Sequence, residues 1–88
     1  MAETLSDVLR RVIAKQIQAD PETVDESAAL DDLGVTSLDL VEIIMTIEDE
    51  YNVDIPVDSV EAWKRYKTVD DLIELGRSLG LEGRRRGA

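Results

Sequence analysis

From Thr36 to Tyr51 the chain contains neither glycine nor proline, and its apolar residues return every three or four positions. Leu40, Ile43, Ile44, Ile47 and Tyr51 share one side of a helical wheel, which commits the stretch to a helix with one buried face. A turn at Gly34 precedes it. Thr36 is a good N-cap: its hydroxyl can accept from the backbone N–H of Asp39, and the Asp39 carboxylate can reach back, as in a capping box. Ser37 then occupies the first helical position, where unpaired N–H groups and the positive end of the helix dipole gather. A phosphate ester on that serine would sit where helices best tolerate negative charge.

The same helix carries a second stripe. Leu38, Val41 and Met45 lie on another side, interleaved with Asp39, Glu42, Glu48 and Asp49. A chain of 88 residues has little core to spare for it. These three residues are expected to be partly exposed, and apolar groups rimmed by charge suit a docking face for another protein. The plainer alternative is that they touch the loop before the helix.

Charge is distributed as unevenly as it is abundant. The net charge is −10, and from Asp20 through Glu61 there are fourteen acidic residues and no Lys or Arg. A one-signed field of this kind steers basic partners toward it and argues against a nucleic-acid ligand. Acidity for solubility alone would not explain why the basic residues avoid the serine helix. No apolar run near the N-terminus suggests a signal peptide or a membrane span, so a cytoplasmic monomer is the expectation.

Around the central helix the pattern predicts three more, giving an all-α, small antiparallel four-helix bundle of three longer helices and one short one. Leu5, Val8, Leu9, Val12, Ile13 and Ile17 mark a first helix, opened by a Thr4–Asp7 capping box and ending near Asp20-Pro21. The long connection 21–35 should be pinned to the core by Val24, Leu30, Leu33 and Val35. Asn52 and Ile55-Pro56 close the serine helix. Residues 57–67 read as the short helix, with Val60, Trp63 or Ala62, and Tyr66 facing inward. A Thr68–Asp71 capping box opens the last helix, with Val69, Leu72, Ile73, Gly76 and Leu79 on its inner side, and Gly76 there implies close approach of a neighbouring helix. The domain is expected to span 1–80, with 81–88 as a flexible basic tail.

Chemistry of its own is hard to assign to this chain. Ser37 lacks the base and orienting group that a nucleophilic serine needs, because there is no histidine and the lysines lie in other elements. No cysteine is available for a thiolate or zinc site. The acids from Glu48 to Asp54 fail the EF-hand pattern, since Asp54 falls where glycine is required and Val60 falls at the bidentate position. No metal site is expected. A serine held at a helix tip, beside an apolar stripe and inside an acidic field, suits a substrate of other enzymes.

At these residues the sequence resembles the acyl carrier proteins. Their signature, Asp-Leu-Gly-x-Asp-Ser-Leu before an acidic amphipathic helix and an Ile-Pro, stands here as Asp32-Leu33-Gly34-Val35-Thr36-Ser37-Leu38, then Glu42, Glu48-Asp49-Glu50 and Ile55-Pro56. The resemblance runs from about Thr4 to Leu79. It implies a four-helix fold and a free-standing carrier, not an enzyme, with 4′-phosphopantetheine from coenzyme A attached to Ser37. Acyl or related intermediates would be held as thioesters on that arm, for fatty acid, lipid or secondary-metabolite synthesis. Implied partners are a phosphopantetheinyl transferase and acyl-transfer, synthase or ligase enzymes with basic docking patches. Thr36, Leu38, Asp39, Val41, Glu42, Met45, Glu48 and Asp49 match the family's recognition face, and the cargo pocket would lie between the second and third helices. Three departures stand out: Thr36 in place of aspartate, Ala29 where a large apolar residue is common, and a longer 56–68 segment bearing Trp63 and Tyr66. These suggest either unusual cargo or mutual compensation in the core. An acidic interaction module without a prosthetic group, and an aminoacyl or peptidyl carrier, are the alternative readings.

Overall fold

A computed structural model describes residues 3–56 and 58–82, apart from the side chain of Ser59. Four helices follow in order: α1 (Leu5–Ile17), α2 (Ser37–Tyr51), α3 (Ser59–Arg65) and α4 (Val69–Ser78), with one turn of 3-10 helix at Pro21–Thr23. Three of the four open with a complete capping box: Thr4 with Asp7, Thr36 with Asp39, and Thr68 with Asp71. Each box satisfies two backbone donors that a helix start would otherwise leave unpaired. The helix starts were therefore legible from three Thr-x-x-Asp strings.

The buried stripe of α2 is the expected one: Leu40, Ile43, Ile44, Ile47 and Tyr51. It meets Leu5, Val8, Leu9, Val12 and Ile13 of α1 and Val69, Leu72 and Ile73 of α4 in one apolar core. Cross-links at the surface show that α1 and α2 run antiparallel. Arg11 pairs with Glu50 near one end of α2, and Gln16 reaches Asp39 and Glu42 near the other. Gly76 of α4 abuts Leu5, where an added Cβ would come within 2.8 Å of a Leu5 methyl. This is the close approach that a mid-helix glycine implied.

The connection 18–36 is held by backbone pairing as well as by side chains. Val24, Leu30 and Val35 are fully buried and Leu33 half-buried. Gly34 turns the chain at φ +86, a conformation that side chains rarely adopt. Along its middle this connection forms one isolated antiparallel bridge, Ala29 opposite Thr68, with the link into α4. Leu30 N–H donates to the Lys67 carbonyl at 2.8 Å, Val69 N–H to Ala28 at 3.1 Å and Asp70 N–H to Glu26 at 2.8 Å.

Several boundaries differ from expectation. α1 stops at Ile17 because Gln18 takes a left-handed conformation and its N–H turns back onto Ala14 and Lys15. α3 is shorter than 57–67. Asp58 caps its start, and at its end the Lys67 carbonyl accepts from Leu30 beside the Ala29–Thr68 bridge instead of pairing helically; Val57 lies outside the described residues. That short frame turns Ala62 and Tyr66 inward, one helical turn apart, leaving Trp63 half-buried and Val60 61% exposed. Past α4, Leu79 is 37% exposed and not part of the buried core. Leu81, at the head of the expected tail, is fully buried with its N–H on the Gly76 carbonyl at 2.9 Å. Residues 83–88, with the three tail arginines, lie outside the described residues.

Candidate functional site

The first turn of α2 presents Ser37 to solvent. Thr36, in extended conformation, accepts the Asp39 N–H on its hydroxyl at 3.1 Å, and the Asp39 carboxylate accepts the Thr36 N–H at 3.0 Å. With both cap partners engaged by each other, the Ser37 side chain is left exposed, and its hydroxyl bonds to no described residue. It stands beside helix N–H groups and the positive end of the dipole, an environment that favours an anionic substituent.

The acids around it are held from both sides. From α1, the Gln16 side-chain amide donates to Asp39 Oδ1 at 3.1 Å and also to Glu42. The Thr36 backbone N–H first, and then the Gln16 amide, hold the Asp39 carboxyl below the ordinary value of 3.8 by favouring its charged form. Sequence reading missed Gln16. Its place between buried Ile13 and half-buried Ile17 marked it only as a polar helix residue, and the reach across to α2 comes from how the two helices cross. Glu48, expected on the recognition face, is half-buried and accepts the Ile55 N–H at 2.7 Å, so it also fastens the loop after α2. Asp49 is exposed.

The second stripe lies outside the core: Leu38 is 67% and Met45 56% exposed, with Val41 half-buried between them. Apolar side chains this open, set among Asp39, Glu42 and Asp49, form a rimmed patch that begins beside Ser37 and runs along α2. Among the described residues no group of acids could hold a metal ion, and no helix is long and apolar enough to cross a membrane.

Residues 7–75 match the family model described as a phosphopantetheine attachment site. Over 74 residues the chain is 42% identical to the acyl carrier protein of Phenylobacterium zucineum, covering 80% of this chain and 90% of the relative. It is 40% identical to that of Caulobacter vibrioides, over 80% and 91%, and 38% identical to that of Zymomonas mobilis, over 83% and 90%. The chain belongs to the acyl carrier protein family. As an acyl carrier protein it holds 4′-phosphopantetheine covalently and is a carrier, not an enzyme; a phosphopantetheinyl transferase and acyl-handling enzymes act on it. The exposed Ser37 hydroxyl at a helix start fits such a group, which ends in a phosphate.

Proposed function

We propose that Ser37 Oγ carries the phosphopantetheine, and that α2 from Thr36 to Asp49 is the face read by the transferase and the acyl-handling enzymes. The carrying observation is the Ser37 hydroxyl, exposed on the first turn of α2 and without a partner among the described residues. Bound there, the group supplies a thiol on which acyl cargo is held as a thioester. The chain's own contribution is placement. The Thr36–Asp39 box fixes where the helix begins, the N-terminal dipole favours the phosphate, and Gln16 holds two carboxylates beside it. Leu38, Val41 and Met45 supply the apolar contact, and Asp39, Glu42, Glu48 and Asp49 the charge that selects partners with basic docking patches. Thr36 keeps the cap that an aspartate would provide but lacks its charge, which narrows the choice of transferase. The chain's net charge of −10 makes copies repel one another, which supports a monomer; the carrier works in the cytoplasm, and its domain reaches buried Leu81, one residue past the expected 1–80.

The test is intact mass. Apo-protein incubated with coenzyme A, magnesium and a permissive transferase gains one phosphopantetheine, and Ser37→Ala gains none. A wild-type chain that several transferases leave unmodified, or a Ser37→Ala chain that is still modified, overturns the assignment.

A further inference from the structure

Among the described residues the basic side chains fall into two groups. Arg10 donates to the Val24 carbonyl at 2.9 Å, Arg11 bridges Glu3 and Glu50, and Arg77 pairs with Glu74 and Glu82. Lys15, Lys64, Arg65 and Lys67 are exposed, and their side chains make no ion pair or hydrogen bond with a described residue. Lys64 and Arg65 stand on the last turn of α3 and Lys67 just past it, so three of these cations are clustered in a chain whose acids outnumber its bases 20 to 10. Apolar groups lie among them. Val60, one turn before Lys64, is 61% exposed; Trp63 is half-buried, with the Lys67 ammonium 5.9 Å from its ring. α3 thus offers a small apolar patch with a basic rim, opposite in sign to the acid-rimmed patch on α2.

Backbone hydrogen bonds place this cluster near the modification site. The Lys67 carbonyl accepts from Leu30 N–H at 2.8 Å, and the Leu30 carbonyl accepts from Val35 N–H at 3.0 Å. Ser37 is two residues further on, so standard bond lengths put the Lys67 and Ser37 Cα atoms no more than about 21 Å apart. Asp31, Asp32, Gly34 and Thr36 are exposed along the intervening chain, which makes the surface between the two continuous. A protein interface of ordinary size covers about 800 Å² per partner, or roughly 32 Å across, enough to take in both. Acyl-handling enzymes act at the free end of the arm and can stand off from Ser37 by its length. The transferase makes the bond to Ser37 Oγ itself, so it must lie against the surface around that residue. Nucleic acid and anionic membranes are repelled by the net charge of −10.

We propose that the phosphopantetheinyl transferase of this carrier presents acidic side chains to Lys64, Arg65 and Lys67 while its basic patch meets α2. The docking footprint is then two-signed and fixes one orientation, because a partner turned end for end would set like charges together. A transferase whose docking surface is basic throughout is repelled at α3. The inference rests on attachment at Ser37 and adds the charge pattern of the enzyme that performs it.

The sign of one kinetic effect decides the matter. Facing an acidic counterpart, Lys64→Glu/Arg65→Glu raises the transferase's KM for the carrier; facing a wholly basic one, it lowers it. The transferase is purified from the source cells by its activity on the wild-type chain, and KM and kcat are measured at saturating coenzyme A. At low salt the charge-reversed chain is expected to show a KM raised about fivefold with kcat unchanged, and the difference should shrink as salt is added. Lys64→Arg/Arg65→Lys should keep the wild-type KM. Lys64→Gln/Arg65→Gln should give a smaller rise, and it takes the place of the reversed chain if that one does not fold. A permissive transferase in excess should still add one phosphopantetheine mass to each variant. A wild-type chain that gains no mass counts against Ser37 attachment, a result read separately from the KM comparison. An unchanged or lowered KM for the reversed chain, or a loss confined to kcat, overturns the proposal.

Discussion

Replacing Thr36 with alanine tests the link between the cap and the site. The Thr36 hydroxyl accepts one orphan N–H, from Asp39 at 3.1 Å, and alanine leaves that donor to water. Loss of such a cap costs about 1 kcal/mol. In a domain of this size that is a fall in Tm of roughly 4–8 °C. Thr36→Ser keeps an acceptor at the same place and should remain close to wild type. Asp39 gives a second, local readout. Its carboxyl lies below the ordinary 3.8 chiefly because the Thr36 N–H is held in line with it, so fraying of the first turn lets its pKa rise back toward 3.8. The sign follows from that depression. Asp39 contributes stability at pH values above the ordinary value, and this contribution is lost as pH falls through the lowered one. The gap in Tm between wild type and Thr36→Ala should therefore be widest above pH 4 and narrow on further acidification. Thermal unfolding across that range, NMR titration of the Asp39 carboxyl carbon and hydrogen exchange of the Asp39 amide measure the three effects. A Thr36→Ala chain with wild-type Tm and an unmoved Asp39 titration would refute the idea that this cap sets the start of α2.

Leu40→Ala, at a fully buried position of α2, should cost about 2–5 kcal/mol, a large share of the roughly 4–13 kcal/mol expected for a domain of this length. A urea midpoint that hardly moves would show that the stripe is not the core. Arg11 bridges Glu3 at 2.9 Å and Glu50 at 3.0 Å from a side chain that is 36% exposed. Arg11→Met should therefore cost no more than about 1 kcal/mol at low salt, and the difference should vanish as salt is raised; a loss that is independent of salt would point to packing of the side-chain stem instead.

Most of the fold was legible because its signals are local. A Thr-x-x-Asp string caps a helix whatever surrounds it, and the three boxes at Thr4, Thr36 and Thr68 all formed. The stripe from Leu40 to Tyr51 and the close approach at Gly76 follow equally from spacing and side-chain size. The ends of α1 and α3 were misjudged because helix stops are weaker signals than starts. At α3 the decisive partner, Leu30, is distant in sequence. Val60 illustrates the consequence: it is exposed, whereas Ala62 and Tyr66, both among the expected inward positions, are buried.

Composition and periodicity alone determined that this chain makes an acidic helical domain with a serine at the tip of its central helix. A helix start is an arrangement of neighbouring residues, and the serine is one of them. Only the tertiary structure decided which groups surround that serine and what lies within its reach. Gln16 meets Asp39 and Glu42 because α1 crosses α2 antiparallel. Ala29, Trp63 and Tyr66 border one hollow because two connections pair through their backbones. Contacts of this kind depend on the relative placement of whole elements, which no local pattern records.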